Sequence, residues 1–128
     1  MSVLHSKKIS NLTYAIEVED FMVTTDVAKN LGGNNLAPDP HRYLEIALAG
    51  CTVITIEMYA KRKKMALDSV DVQIIITEEG ETNRILREIN LSGNLSAEER
   101  SSLMSIAERC PVHKFITRGA EIETKEIK

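Results

Sequence analysis

The chain has 128 residues, of which 43% are hydrophobic, 27% are charged and only 4% are aromatic, with a formal net charge of −3. This composition is ordinary for a globular protein and predicts a single domain over residues 1–128. The negative balance argues against a general nucleic-acid-binding protein, which needs a positive surface to neutralise phosphates. The chain begins without the apolar stretch of a signal peptide, and no run approaches the roughly 18 uninterrupted apolar residues of a membrane helix. The prediction is therefore a soluble, cytoplasmic protein that does not insert into membranes.

The N-terminal third is predicted to form strands followed by a loop. Residues 12–19 largely alternate apolar and polar side chains, as a half-buried strand does. Residues 21–25 follow after a predicted hairpin turn and form a second strand. Residues 30–40 are rich in glycine, asparagine and proline, which predicts a loop.

A long helix is predicted from Pro40 to about Lys63. Asp39 is a favourable N-cap, and proline suits the first helical position because its missing N–H is not needed there. Apolar residues recur at three- and four-residue spacing and form one predicted stripe: Leu44, Ala47, Leu48, Cys51, Ile54, Thr55 and Met58. A helix this apolar needs cover on several sides, which suggests a dimer with the helix at its centre.

The next segments predict a hairpin and a second helix. Residues 70–77 and 85–92 are expected to pair across a polar turn. Ser96 and Glu99 have the spacing of a capping box, which opens the second helix.

The second helix is expected to end or bend at Cys110, because the residue before Pro111 is disfavoured in α geometry. A short turn carrying His113 and a final strand over residues 120–124 complete the prediction. The order of strands, helix, hairpin, helix and strand is typical of an α+β domain with antiparallel pairing.

Two cysteines, Cys51 and Cys110, are the residues that point to chemistry. In a reducing cytoplasm a cysteine pair is more often catalytic, redox-sensing or metal-binding than a structural disulfide, while two inert buried thiols are the simpler alternative. A thiolate is the nucleophilic form of cysteine, and the field of the long helix fades within its first turn, so Cys51 needs a nearby cation. The candidates are a group from another subunit or a residue of this set: His41, Arg42, His113 and Lys114.

Residues 38–63, which contain Ala49-Gly50-Cys51-Thr52, resemble the central helix of the OsmC/Ohr family, as residues 95–114 with Cys110-Pro111-Val112-His113 resemble its second cysteine motif. The resemblance implies an OsmC/Ohr-like fold with antiparallel sheets around a long central helix, in an intertwined homodimer with active sites at the interface. It also implies a thiol-dependent peroxidase that reduces organic or lipid hydroperoxides without a bound cofactor.

In that chemistry, the resemblance implies that Cys51 attacks the peroxide and becomes a sulfenic acid. Cys110 then condenses with it to a disulfide, and an external dithiol of the dihydrolipoyl type reduces the pair. An apolar pocket suits a hydrophobic peroxide, and its expected walls are Leu44, Leu48, Thr55 and Met58.

The chain departs from the peroxidase pattern in the groups that activate the first cysteine. Peroxidase members use an arginine from the N-terminal region and an acid near the start of the central helix, but no arginine precedes Arg42 here. Glu45 is nearby, yet its offset from Cys51 turns it about 120° around the helix, and Arg42 lies about 180° around. The possible supporting residues are therefore His41, Arg42, Glu45, His113 and Lys114. Lysines from a partner chain could also approach Cys51: Lys7, Lys8 or Lys29.

Alternative functions follow from the same residues. The cleft at the dimer interface could bind a lipophilic small molecule without catalysis, or the thiols could act as a redox sensor, and a Cys51 pKa above about 8.5 would favour binding. Cys110 and His113 have a ligand-like spacing, but zinc normally takes four ligands, so no metal site is expected. Otherwise His113 is expected to be a surface residue, or one that supports the site, on the predicted turn after Pro111.

Overall fold

The computed structural model describes residues 3–127. In chain order the elements are β1 (His5–Ser10), β2 (Thr13–Val18), β3 (Phe21–Thr25), a short 3-10 helix (Lys29–Leu31), α1 (Pro40–Arg62), β4 (Leu67–Glu78), β5 (Arg84–Gly93), α2 (Ala97–Ala107) and α3 (Pro111–Arg118). The predicted α+β class with antiparallel pairing is confirmed. The chain divides into two compact units, the first ending at Ile46 and the second beginning at Ala47. The single domain remains a prediction.

The first unit contains a three-stranded antiparallel sheet in the order β1-β2-β3. The two predicted strands correspond to β2 and β3, while β1 was not predicted. All six residues of β1 are exposed and they show no apolar alternation, so the usual signal of a strand is missing.

A buried aspartate fixes the course of the loop that follows β3. The carboxylate of Asp26 accepts hydrogen bonds from Thr13 Oγ1 at 2.8 Å and from the backbone N–H groups of Val27, Asn34 and Leu36. Burial raises the pKa of Asp26, but these hydrogen bonds outweigh it and lower that pKa below its ordinary value of 3.8. The carboxylate is therefore fully occupied as a loop anchor.

The long helix α1 starts and ends where the sequence predicts. Asp39 Oδ1 accepts a hydrogen bond from the backbone N–H of Arg42 at 3.1 Å, which is the geometry of an N-cap. Lys61 and Arg62 form the last turn and complement the negative end of the helix dipole.

The predicted apolar stripe of α1 is wrong, because a different row of the helix is buried in the chain. The residues of α1 that are buried are spaced by four: Leu48, Thr52, Ile56 and Ala60. Ile54 and Met58 of the predicted stripe are 58% and 66% exposed. The helix is apolar on most of its circumference, so periodicity alone could not choose between neighbouring rows.

The second unit is built on the β4–β5 hairpin, whose strands pair antiparallel with Ile74 opposite Arg87. Alternate residues of both strands face inward, as the burial pattern shows. Residues of α1, β5 and α2 form the buried core: Ile56, Ala60, Leu91, Leu103, Ile106 and Ala107. The predicted capping box is confirmed, since Ser96 and Glu99 bond reciprocally at the start of α2.

Two predictions near the C-terminus are wrong. His113 lies in α3 and not in a turn, because Pro111 occupies the first position of a new helix, where its fixed φ is favourable. Residues 120–124 are exposed and form neither helix nor strand. Alternation of apolar and polar residues does not make a strand without a neighbouring edge to pair with.

By length and composition alone, α1 is apolar enough to cross a membrane, and 22% of its most apolar window is buried within the chain. The core helix of a soluble protein meets the same criteria. This feature is therefore weak evidence for a membrane segment.

Candidate active site

The second unit brings the two cysteines together. Cys51 lies in the middle of α1 and is half-buried, whereas Cys110 immediately precedes α3 and is fully buried. Both are free thiols, and they are close enough for each to shift the pKa of the other. Cys51 Sγ also lies 3.8 Å from Thr55 Oγ1, one helical turn further along α1.

Several groups stabilise the thiolate form of Cys51. Burial alone raises its pKa, but hydrogen bonds from the Cys110 thiol, the Val112 backbone N–H and the Thr55 hydroxyl lower it, as does the positive charge of Arg87. The net result is a Cys51 pKa below the ordinary value of 9.0. Cys51 is thus the more nucleophilic of the two sulfurs at neutral pH.

Cys110 is shifted the opposite way. Burial raises the pKa of its thiol above 9.0, and the hydrogen bond to Cys51 together with the negative charge of that neighbour raises the pKa further. The backbone N–H of His113 donates to Cys110 Sγ at 3.4 Å and only partly offsets this. The two thiols are therefore unequal, because the pKa of Cys51 is lowered and that of Cys110 is raised.

The N-terminus of α3 supplies part of this arrangement. Cys110 is the N-cap residue and Pro111 takes the first helical position. The first backbone N–H groups of a helix have no partner within the helix. In α3, the N–H of His113 donates to Cys110 Sγ at 3.4 Å, and the N–H of Val112 is one of the groups that lower the pKa of Cys51. A Cys-Pro sequence at a helix start therefore points two amides at the thiol pair.

A buried arginine on β5 adjoins the cysteines. The side chain of Arg87 is 10% exposed, and its Nη1 donates to Thr52 Oγ1 at 3.1 Å. Its Nη2 lies 3.2 Å from His113 Nδ1. Because a guanidinium has only donors, Nδ1 must accept, so the proton of the neutral imidazole lies on Nε2. That nitrogen faces Glu108 Oε2 at 3.0 Å, and Arg87 Nη2 lies 3.9 Å from the same oxygen.

Arg87 was missed in the sequence, although a signal for it existed. In β5, Ile85, Ile89 and Leu91 face inward, and the two-residue period places Arg87 on the same side. A charged residue within the apolar row of a strand is rare unless it is paired. The inward position of Arg87 on β5 therefore indicates that its side chain has buried partners.

The other predicted residues are distributed as follows. Leu48 is buried on the core side of α1, Met58 faces away from that core, and Lys114 is exposed on α3. Four lie in the first unit: His41, Arg42, Leu44 and Glu45. Arg42 forms an ion pair with Glu45 at 3.1 Å. The first unit also contains the three lysines named as substitutes for the arginine: Lys7, Lys8 and Lys29. Within residues 3–127, no group of three or more histidine, cysteine, aspartate or glutamate side chains could hold a metal ion.

Solved structures share this fold. An OsmC-like protein from Mycoplasma pneumoniae is 16% identical, with a TM-score of 0.72 over 91% of this chain and 87% of that one. An organic hydroperoxide resistance protein OsmC from Legionella pneumophila is 21% identical, with a TM-score of 0.63 over 91% and 88%. An organic hydroperoxide resistance protein from Elizabethkingia anophelis, with thiocyanate bound, is 17% identical with a TM-score of 0.65 over 91% and 89%.

No curated protein sequence matches the chain. A profile of the family described as OsmC-like protein matches residues 32–125, which include both cysteines. The chain therefore belongs to the OsmC-like protein family.

Proposed function

We propose that the protein is a thiol-dependent peroxidase that reduces organic or lipid hydroperoxides. The observation that supports this most directly is the contact between two free thiols whose pKa values are shifted in opposite directions. A nucleophilic cysteine next to a resolving cysteine is the arrangement such chemistry requires. Two of the structural neighbours are organic hydroperoxide resistance proteins, which agrees with the proposal.

In the first step, the Cys51 thiolate attacks the outer oxygen of the hydroperoxide and the O–O bond breaks. Cys51 becomes a sulfenic acid, and the departing alkoxide takes up a proton to leave as the alcohol. In the second step, Cys110 attacks the sulfenic sulfur, an S–S bond forms and water leaves. A dithiol of the dihydrolipoyl class then reduces the disulfide by exchange and becomes a disulfide itself.

The state of Cys51 would set the timing of the second step. The negative charge of the Cys51 thiolate is one of the causes that raise the pKa of Cys110. Conversion of Cys51 to a neutral sulfenic acid removes that charge, so Cys110 then ionises more readily. The thiol of Cys110 would therefore ionise more readily after the peroxide has reacted than before.

A homodimer around α1 belongs to the proposal, as does a cytoplasmic location. Ile54 and Met58 of α1 are apolar and more than half exposed, and a second copy of the chain would cover such a surface. Of the pocket residues named from the sequence, Thr55 and Met58 lie one and two turns after Cys51 on α1, and we propose that they line the substrate pocket. Analytical ultracentrifugation would test the dimer.

The function is tested by consumption of cumene hydroperoxide with dihydrolipoamide as reductant, comparing the wild type with Cys51→Ser and Cys110→Ser. Turnover in the wild type that both variants lose would support the mechanism. Cys110→Ser should also accumulate a sulfenic acid on Cys51, which dimedone traps and mass spectrometry detects. Wild-type turnover no higher than that of Cys51→Ser would overturn the peroxidase proposal. A binding module for lipophilic molecules or a redox sensor would then be the better interpretation.

A further inference from the structure

We propose that Arg87 is the cation that activates Cys51 in this chain, and that Thr52, His113 and Glu108 hold its guanidinium in place. This deepens the proposed function and rests on it for the link to peroxide reduction. In peroxidase members an N-terminal arginine activates the cysteine, and this sequence has no arginine before Arg42. Arg87 on β5 would take over that role.

The position of Arg87 is hard to explain as a surface feature. Its side chain is 10% exposed and projects from the inward face of β5, between Ile85 and Ile89. Burial of an unpaired guanidinium is strongly unfavourable, so a buried arginine must have partners with good geometry. Two of them, Thr52 and His113, adjoin the thiol pair in sequence: one follows Cys51 directly and the other lies three residues after Cys110.

The guanidinium of Arg87 acts as the donor in its hydrogen bonds to Thr52 and His113. Thr52 Oγ1 accepts from Arg87 Nη1, so its own proton is available to Leu48 O, which lies 2.6 Å away. On the other side, His113 Nδ1 accepts from Nη2 and Nε2–H faces Glu108. Every donor in this set therefore faces an acceptor. Together the hydrogen bonds fix the orientation of the guanidinium plane.

Electrostatics agree with this geometry. The charge of Arg87 lowers the pKa of Cys51 in addition to the larger effects of Cys110, Val112 and Thr55, and it is the one cationic contribution among these groups. Its low exposure limits screening by solvent, so the charge acts more strongly than it would at the surface. Of the candidate cations named from the sequence, His113 and Lys114 belong to the second unit: His113 contacts Arg87, whereas Lys114 is exposed on α3.

The test compares Arg87→Met with a matched change on the same strand, Arg84→Met. Arg84 is 72% exposed and pairs with Glu78 at the surface, so its loss removes the same charge without touching the thiol cluster. Alkylation of reduced protein by iodoacetamide is followed against pH. Trypsin places the two cysteines in separate peptides, residues 43–61 and 110–114, so mass spectrometry measures each thiol by itself.

The expected result is that Arg87→Met moves the alkylation midpoint of Cys51 to higher pH and slows its alkylation at neutral pH by about three- to tenfold. Arg84→Met should leave both unchanged. Folding of each variant is checked by far-UV circular dichroism. If Arg87→Met does not fold, His113→Phe decides: it removes one acceptor of the guanidinium and should move the midpoint the same way by a smaller amount. An unchanged midpoint in the folded variant would overturn the proposal.

Failure of this proposal and failure of the peroxidase function are distinguishable, because alkylation needs no peroxide. A shifted midpoint in a protein without peroxidase turnover would keep the role of Arg87 and remove the function. Peroxidase turnover in the wild type, with an unshifted Cys51 midpoint in Arg87→Met, would support the peroxidase function and overturn the role of Arg87. If both proposals hold, kcat/KM for the hydroperoxide should fall at neutral pH in Arg87→Met and recover toward the wild-type value as pH rises.

Discussion

Thr52 links the fold to the candidate site, and its replacement by valine separates the two contributions of its side chain. Thr52 is fully buried, with its methyl group in the row of α1 that packs on the core and its hydroxyl between Arg87 and Leu48. Valine keeps the shape and removes the hydroxyl. Serine keeps the hydroxyl and removes the methyl group. The two variants are therefore matched controls for each other.

The expected losses follow from these contacts. Thr52→Val leaves an Arg87 N–H facing a methyl group, and a hydrogen bond to a charged group contributes about 1.5–3 kcal/mol to the free energy of unfolding. The carbonyl oxygen of Leu48 keeps its helical partner, so no further term is added. Thr52→Ser loses one buried methyl group, which costs about 0.8 kcal/mol. We therefore expect valine to be the more destabilising change.

Urea unfolding followed by far-UV circular dichroism measures both variants, because the chain has no tryptophan to serve as a fluorescent probe. The protein concentration must be held constant, since self-association would shift the apparent stability. A double-mutant cycle with Arg87→Met isolates the pairwise energy, which should exceed about 0.5 kcal/mol. Equal stability of Thr52→Val and wild type, or strict additivity in the cycle, would refute the contact as a stabilising interaction.

Further variants test the core, the cap and the thiol. Leu103→Ala in the centre of the core should cost about 2–5 kcal/mol in urea unfolding, whereas Met104→Ala, at a site 44% exposed, should cost less than about 1 kcal/mol. Ser96→Ala removes the capping box of α2 and should lower the free energy of unfolding by about 0.5–2 kcal/mol, while Ser96→Asp should retain most of it. Folding lowers the pKa of Cys51, so its thiolate adds stability that is present above the ordinary pKa of 9.0 and is lost as pH falls through the folded pKa. The stability difference between wild type and Cys51→Ser should accordingly grow as pH rises towards 9.0 and level off above it, and a constant difference would contradict the shift.

The elements that could be predicted are those with explicit local signals. Asp39 and Pro40 define the start of α1, and Ser96 with Glu99 defines the start of α2. The alternation in β4 and β5 predicts their pairing because one face of the hairpin is buried. In contrast, β1 carries no such pattern, since a strand exposed along its length leaves no constraint on its side chains.

The orientation of α1 could not be predicted, because hydrophobic periodicity requires a polar face for comparison. Thr52 reads as a polar interruption in an apolar helix, yet it lies at the centre of the buried row. Its hydroxyl accepts a hydrogen bond from Arg87, which is 35 residues away in sequence and is brought near by the fold. Local pattern contains no information on such a partner.

In the candidate site too, some features have a local sequence signal and others depend on residues distant in sequence. The two cysteines stand out in the sequence, but the groups that make them unequal come from three separate elements: Thr55 from α1, Arg87 from β5, and Val112 from α3. The family pattern places the activating arginine in the N-terminal region, where this sequence has none. The charge that acts on Cys51 instead occupies an inward position of β5, where only strand periodicity would have revealed it.

Thiolate stabilisation in this chain is shared among several contributions. Apart from burial, which opposes ionisation, Cys51 is influenced by two side-chain hydrogen bonds, one backbone amide and one charge, and all of these groups belong to the second unit. A single neutral hydrogen bond is worth about 0.5–1.5 kcal/mol, so no one group need dominate. Loss of one partner should therefore reduce the reactivity of Cys51 in part, whereas removal of Cys51 itself should abolish it. The absence of an N-terminal arginine from this sequence is thus compatible with an activated cysteine, because β5 and the start of α3 provide the stabilising groups.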